Sequence, residues 1–356
     1  MPLYMDIHTV DSADFSVEDV VKAHMEDLAI QERFGVIQIK YWVNVDAKTL
    51  FCLMEGPNKE ACNEVHKESH GNTACNIIEV ADDEFNLFLG EGKNVNDLAH
   101  YNSGEVDTGY RTILLLSITD LTSKYDHYIN EIYRLIDKHK GTSILQPDDI
   151  MVSFIFASNA ILCAKAIGKL LSSIQDNIEF NLTLVSGRPV DEHGNDLFEE
   201  TKKKVRNMCK LGFKNTMYLD YETKRISDKE RLVSKIKLED FCIVQNEDFE
   251  FSYKLFRILS DNLAHTDFKS EKINELIGLS KSQAYRKIKS LTGIAPNQLI
   301  QEFRLRNSLK YLKNDCKTIS EIAFDSGFNS PTYFAKVFRK RFSITPTYFT
   351  KISKSQ

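Results

Sequence analysis

No stretch of about 18 apolar residues occurs in this 356-residue chain, so no membrane-spanning helix is expected. The opening residues, Met1-Pro2-Leu3-Tyr4-Met5-Asp6, lack the basic lead and apolar centre of a secretory signal. The seven cysteines (52, 62, 75, 163, 209, 242 and 316) are odd in number, scattered, and never arranged as Cys-x-x-Cys. That usage argues against a disulfide framework and against a zinc ribbon, and it fits reduced thiols in a cytoplasm. Low-complexity tracts are absent too. What remains is globular in character: 42% hydrophobic and 27% charged residues supply a buried core. The length allows two or three domains of about 100–200 residues each.

Charge is distributed unevenly. From Lys269 to the end there are 17 Lys and Arg against 6 Asp and Glu, a surplus of 11. Since the whole chain carries −5, residues 1–268 carry −16. A basic module is joined to an acidic body, and a polyanion such as nucleic acid is the simplest partner for the basic end.

Residues 1–81 read as a small α/β unit. Leu3–His8 alternates as a strand, Val17–Phe34 is a helix ended by Gly35, Val36–Val43 and Leu50–Glu55 are strands around a turn containing Asp46, Lys59–Ser69 is a helix, and Asn76–Val80 a last strand. The order βαββαβ predicts a ferredoxin-like sandwich. Residues 82–110, rich in Gly, Asn and acidic positions, read as a linker. A second α/β unit over 111–221 opens with the apolar run Ile113–Leu116, followed by helices near 127–139 and 158–172, a hairpin at Pro147-Asp148-Asp149, and a strand at Phe180–Val185. Residues 222–248 read as a charged connector. From Phe249 to the end, helical periodicity dominates.

Within that last stretch one pattern occurs twice. Ser270 is placed as an N-cap before Ile273, Leu276 and Ile277, and Gly278 ends the helix. Ser280 and Gln283 then form a capping box, with Ala284, Ile288 and Leu291 as the buried stripe. Ser282, Tyr285, Arg286 and Lys289 lie on the opposite face. In the repeat, Thr318 and Glu321 form a second box, Gly327 ends that helix, and Ser330-Pro331 starts the next. Phe334, Val337 and Phe338 face inward; Thr332, Lys336, Arg339 and Lys340 face outward. Asn297–Leu312 joins the halves as one longer helix. A short helix, a glycine turn and a second helix with a polar, basic face make a helix-turn-helix. An all-α double helix-turn-helix domain over 249–356, bound to double-stranded DNA, is expected.

Gly278-Leu-Ser-Lys-Ser-Gln-Ala-Tyr-Arg286, Arg304-Leu-Arg306, Ile319-Ser-Glu-Ile-Ala323 and Gly327-Phe-Asn-Ser-Pro-Thr-Tyr-Phe334 resemble the AraC/XylS DNA-binding domain. The resemblance implies two recognition helices in successive major-groove segments. It places Ser282, Tyr285 and Arg286, then Pro331, Thr332 and Lys336, at base-facing positions. Arg286 can donate a bidentate pair to guanine. Lys289, Arg339 and Lys340 suit phosphates, which give affinity without sequence information.

Two upstream features point to ligands. His66 and His70, at i and i+4, share a helix face in a spacing that can chelate a transition metal. His24 lies on the first helix with Asp27 one turn away. His8 ends the first strand, where Leu3, Met5 and Ile7 are expected to face inward. If both helices cover that apolar face, Tyr4, Asp6 and His8 lie opposite, where His8 does not easily join the helix histidines within one subunit but can meet another copy across a dimer of open sheet faces. Structurally bonded histidines with no metal are the alternative. Asp6-Ile-His-Thr-Val-Asp11, Ala23-His24, Tyr41-Trp42-Val43, Phe51-Cys-Leu-Met-Glu55 and Val65-His-Lys-Glu-Ser-His-Gly71 resemble the small nickel-responsive ferredoxin-like family, which implies nickel or a related divalent ion and a dimer.

In the middle, Ser117-Ile-Thr-Asp120-Leu, Pro147-Asp148-Asp149, Asn181–Gly187 and Gly194-Asn-Asp-Leu-Phe198 resemble the class III nucleotidyl cyclase domain. The resemblance implies metal-holding roles for Asp120 and Asp148. Several positions depart from it. Pro147 and Asp149 replace glycines, Lys203 and Asn207 stand where transition-state asparagine and arginine belong, Arg206 is one position out of register, and Ile144 replaces a base-reading lysine. Losing such donors costs orders of magnitude in rate, so a non-catalytic module is expected. The whole reads as a homodimeric regulator controlled by a ligand or metal. A cyclase with a DNA-binding appendage, or a nickel-storage protein, is the alternative.

Overall fold

The computed structural model describes residues 1–90, 97–121, 126–144, 149–174, 178–230, 236–314 and 317–353. It begins with β1 (Leu3–Thr9), α1 (Val17–Ile30), a short 3₁₀ turn (Gln31–Phe34), β2 (Ile37–Asn44), β3 (Thr49–Glu55), α2 (Lys59–Ser69) and β4 (Asn76–Val80). Ser16 caps α1 in a reciprocal box with Asp19, Gly35 takes the left-handed conformation that ends the 3₁₀ turn, and Asn58 caps α2. Strand order is β4-β1-β3-β2, with antiparallel pairing throughout. This is the ferredoxin-like arrangement.

The 82–110 segment is more than a linker. It forms α3 (Asp82–Leu89) and then β5 (Asp97–Leu98), which adds to the first sheet parallel to β2. Asp82, Asp83 and Glu84 suit a helix N-terminus, and Phe85, Phe88 and Leu89 form one buried face.

Both faces of the first sheet are buried, which corrects the expectation of an open one. Tyr4, Tyr41, Val43, Cys52 and Met54 pack under α1 and α2 with Val20, Cys62 and Val65. On the other side Leu3, Met5, Ile7, Trp42, Phe51 and Leu53 join Phe85 and Phe88 in a cluster continuing to Ile113, Leu115, Met151 and Val185 of the next unit. The helices thus cover the face bearing Tyr4, Asp6 and His8, while the all-apolar face packs against the rest of the chain. An apolar stripe on a strand marks burial but does not say against what.

The second unit comprises β6 (Arg111–Asp120), α4 (Asp126–Lys138), β7 (Thr142–Ile144), β8 (Ile150–Phe154), α5 (Ala157–Ser173), β9 (Ile178–Gly187), α6 (Glu199–Cys209), β10 (Thr216–Asp220), α7 (Tyr221–Lys229) and β11 (Cys242–Val244). Its strand order is β11-β10-β9-β6-β8-β7, antiparallel from β9 to β7 and parallel from β9 to β11. The expected connector at 222–248 therefore contains most of α7 and the edge strand β11. Both are held by tertiary contacts that a charged, weakly patterned segment does not advertise: Asp220 caps α7, and Glu230 caps α5 through the N–H groups of Ala157 and Ser158. Pro147 and Asp148, expected at a hairpin, lie outside the described residues.

The chain ends in helices α8 (Asn246–Asn262), α9 (Ser270–Ile277), α10 (Lys281–Thr292), α11 (Pro296–Asn314), α12 (Ile319–Asp325), α13 (Pro331–Phe342) and α14 (Pro346–Ser353). Among the described residues no helix is long and apolar enough to cross a membrane.

Candidate nucleic-acid interface and metal centre

The two C-terminal helix pairs are built alike. In α9–α10, Gly278 adopts φ +81° to close the first helix, and Ser280 and Gln283 cap the second reciprocally. Ser270 is not the N-cap of α9; Lys269 holds that place, and the Ser270 N–H is satisfied instead by the Asn297 side chain at 3.0 Å. Ala284 and Ile288 are buried, whereas Ser282, Tyr285, Arg286 and Lys289 are exposed. Lys289 lies over the Tyr285 ring. In α12–α13 the Thr318–Glu321 box and the Ser330 cap with Pro331 repeat the design. Phe334, Val337 and Phe338 are buried; Thr332, Lys336, Arg339 and Lys340 are exposed, and Pro331 is half-buried at the helix start. Each second helix thus offers water one polar, basic face.

The N-terminal histidines converge on carboxylates. His66 Nδ1 lies 2.9 Å from Asp27 Oδ2, and its Nε2 lies 2.9 Å from Asp6 Oδ2. His8 Nε2 approaches the same Asp6 oxygen at 3.2 Å, and His70 Nε2 lies 3.3 Å from Asp27 Oδ1. His8 and His66 meet edge to face, so His8 joins the helix histidines within one chain. Asp6 is positioned by its other oxygen, which accepts the Cys52 backbone N–H at 2.8 Å.

Burial alone would keep His66 neutral, but hydrogen bonds to Asp27 and Asp6 outweigh it and raise its pKa to about 10. Burial opposes ionisation of Asp6 as well. There the charges of His8 and His66 win and hold the carboxylate well below its usual range. His24 differs. Desolvation lowers its pKa to about 4, both ring nitrogens are buried without a hydrogen-bond partner among the described residues, and its ring lies 4.2 Å from that of Tyr41.

Asp6, His8, Cys52 and His66 each bring a donor atom within 4.8 Å of the others; so do Asp27, His66 and His70. Imidazole nitrogens beside carboxylates suit a borderline divalent cation such as nickel. These residues fit a metal. His24 belongs to neither group. Asp6 was missing from the candidate ligands, although its place two residues before His8 puts it on the same strand face.

In the middle unit, Asp120 ends β6 and accepts the Tyr128 hydroxyl at 3.3 Å; Asp148 lies outside the described residues. Asn207 is buried, its amide 3.4 Å from Ser252 Oγ on α8, while Lys203 pairs with Glu200 at 3.2 Å.

Residues 4–80 match the family model "Nickel responsive protein SCO4226-like", and residues 274–352 match the model "Helix-turn-helix domain". Histidine kinase P4 of Formosa agariphila is 35% identical over 30% of this chain and 8% of its own length. The HTH-type transcriptional activator RhaS of Mannheimia succiniciproducens is 33% identical over 26% of this chain and 34% of its own. This chain therefore spans under a tenth of the first relative and about a third of the second. Among solved structures, SCO4226 from Streptomyces coelicolor A3(2) is 32% identical, covering 22% of this chain and 94% of its own, with a TM-score of 0.21. One chain thus joins residues 4–80, similar to the SCO4226-like nickel responsive proteins, to residues 274–352, similar to a helix-turn-helix domain.

Proposed function

We propose that the chain is a sequence-specific DNA-binding transcriptional regulator whose activity is set by a divalent cation in its first unit. The observation that carries this reading is the pair of capped helix-turn-helix units, each burying an apolar stripe and exposing a polar, basic face. Ser282, Tyr285, Arg286, Pro331, Thr332 and Lys336 read base edges, and Lys289, Arg339 and Lys340 hold phosphates. His8, His66 and His70 with the carboxylates of Asp6 and Asp27 form the metal set, and His24, one turn before Asp27 on α1, is its further candidate. A bound divalent ion supplies positive charge and ties together the elements that carry its ligands. A homodimer would pair two readers on one operator and gain affinity by multivalency.

The test is selection of a duplex by the full chain, followed by footprinting with and without nickel. Specific protection that changes with nickel supports the reading; no selected sequence sinks it. Within that experiment Arg286→Ala should relax base preference at its position, at a cost of about 1–3 kcal/mol. Lys289→Ala should weaken all sequences alike and reduce the salt slope by about one. Identical behaviour of the two variants would refute the division of roles.

The middle unit is a scaffold rather than a cyclase. Asn207 is committed to Ser252 and Lys203 to Glu200, which supports this reading. Incubation with manganese and ATP or GTP should give no cyclic product. Turnover abolished by Asp120→Ala would reverse the assignment.

A further inference from the structure

The two helix-turn-helix units are anchored differently. The first shares the apolar cluster of the middle unit through Ile273, Ile277 and Ile288. In addition, the Tyr218 hydroxyl on β10 donates to the Leu291 carbonyl at 3.0 Å. The second unit has its own cluster, formed by Leu305, Leu309, Ile322, Phe334, Phe338 and Phe342. Only one residue from before α8 enters that cluster among the described residues: Leu121, just past the end of β6.

Beside Leu121, at the same sheet end, stands Glu179. Its strand partner is Thr119, and the neighbouring pair is Asp120 with Ile178. Arg341, on the inner side of α13, donates to both Glu179 oxygens at 2.5 and 2.8 Å. The same guanidinium donates to both oxygens of Glu302 on α11 at 2.7–2.9 Å. One cation therefore ties the second recognition helix, the helix linking the two units, and the middle sheet. A guanidinium's planar fork suits this, and lysine cannot reproduce it. Arg306 adds a neighbouring tie on α11, donating to the Gly212 carbonyl at 2.8 Å and lying over the Phe213 ring.

We propose that Glu179 is a positioning residue for DNA reading: through Arg341 it fixes the second helix-turn-helix unit relative to the first, so that both recognition helices engage one duplex together. This rests on the DNA-binding reading above. Two rigidly related readers lose little orientational freedom on binding, whereas a loose pair must be ordered on the DNA. Glu179 lies on a strand of the middle unit, away from the exposed faces of α10 and α13, so it acts without touching DNA.

The experiment compares wild type with Glu179→Gln and Glu179→Asp in the full chain, on a duplex selected by the wild type. Gln keeps the shape of the side chain and removes its charge. It should raise the dissociation constant by roughly tenfold or more, since linked readers gain about 10²–10⁴ over one and a loosened second reader forfeits part of that. Protection should fade over the segment read by α13 and persist over the segment read by α10. Amide exchange along α13 should quicken while that of α10 holds, and Glu179→Asp should restore part of each effect. Uniform weakening of both segments, or full binding with only a lower melting temperature, would overturn the proposal. If the wild type selects no duplex, the functional reading fails with it. The exchange data then still report separately whether Glu179 holds the second unit.

Discussion

Replacing Asp107 by Asn should destabilise the chain by about 3–5 kcal/mol, because it leaves the Arg111 guanidinium buried and unpaired. Arg111 is 1% exposed. Its Nη1 and Nη2 donate to the two Asp107 oxygens at 2.9 and 2.8 Å, Nη1 also reaches the Tyr110 carbonyl, and Nε donates to the Phe88 carbonyl at 2.8 Å. The pair closes the seam between α3, the segment leading to β6, and β6 itself. Burial tends to raise the Asp107 pKa, but Arg111 outweighs it and holds the carboxylate below its ordinary value. A depressed carboxylate gives stability that is present above the unfolded pKa, about 4, and lost as pH falls through the folded value. The gap between wild type and variant, measured by urea unfolding, should therefore be full at pH 7 and narrow below pH 4. A variant that unfolds at the wild-type urea concentration at pH 7 would show that the pair contributes no net stability.

The second large effect is expected at Gly327. This residue has φ +81°, and a Cβ there would come 2.1 Å from the Leu263 carbonyl and 2.7 Å from Arg304 Nε. Neither neighbour can retreat cheaply, since the Leu263 carbonyl accepts that same Nε at 3.0 Å. Gly327→Ala should incur left-handed strain of about 1–3 kcal/mol and an overpacking cost of about 1–3 kcal/mol. Gly278 is the internal comparison: it shares φ +81°, but among the described residues nothing lies within 4 Å of its would-be Cβ. Gly278→Ala should therefore cost only the strain. Thermal melts of both variants decide the matter, and equal losses would remove the steric argument. DNA affinity should fall further for Gly327→Ala, whose clash displaces the α12–α13 turn from the α8–α9 junction.

Much of this was legible from residues close together in the chain. Capping boxes, glycine stops and the 3.6-residue stripe rest on local contacts, so α10, α12 and α13 emerged with their outward faces. The strands and helices of residues 1–80 emerged in the same way. What escaped depends on distant partners. His66 owes its raised pKa to carboxylates 39 and 60 positions away, and no helical spacing reports that. The strand pattern sets His8 away from the helices, yet it lies beneath them, because Leu3, Met5 and Ile7 show only that their own face is covered. Parts of the 82–110 and 222–248 segments read as connectors because β5 and β11 are two and three residues long, too short to show a period. Ser270 was misplaced by one position because Asn297, 27 residues on, supplies its hydrogen bond.

The twofold covering of the first sheet has a further consequence. Leu3, Met5, Ile7, Trp42, Phe51 and Leu53 are all nearly or wholly buried, and much of what shields them belongs to residues beyond 81. A fragment cut after the last ferredoxin-like strand would keep its histidines and lose its roof. The patch left bare is the kind that makes proteins self-associate. The proposed metal site is thus not on a detachable module: the cover over the apolar face of its sheet belongs to the rest of the chain.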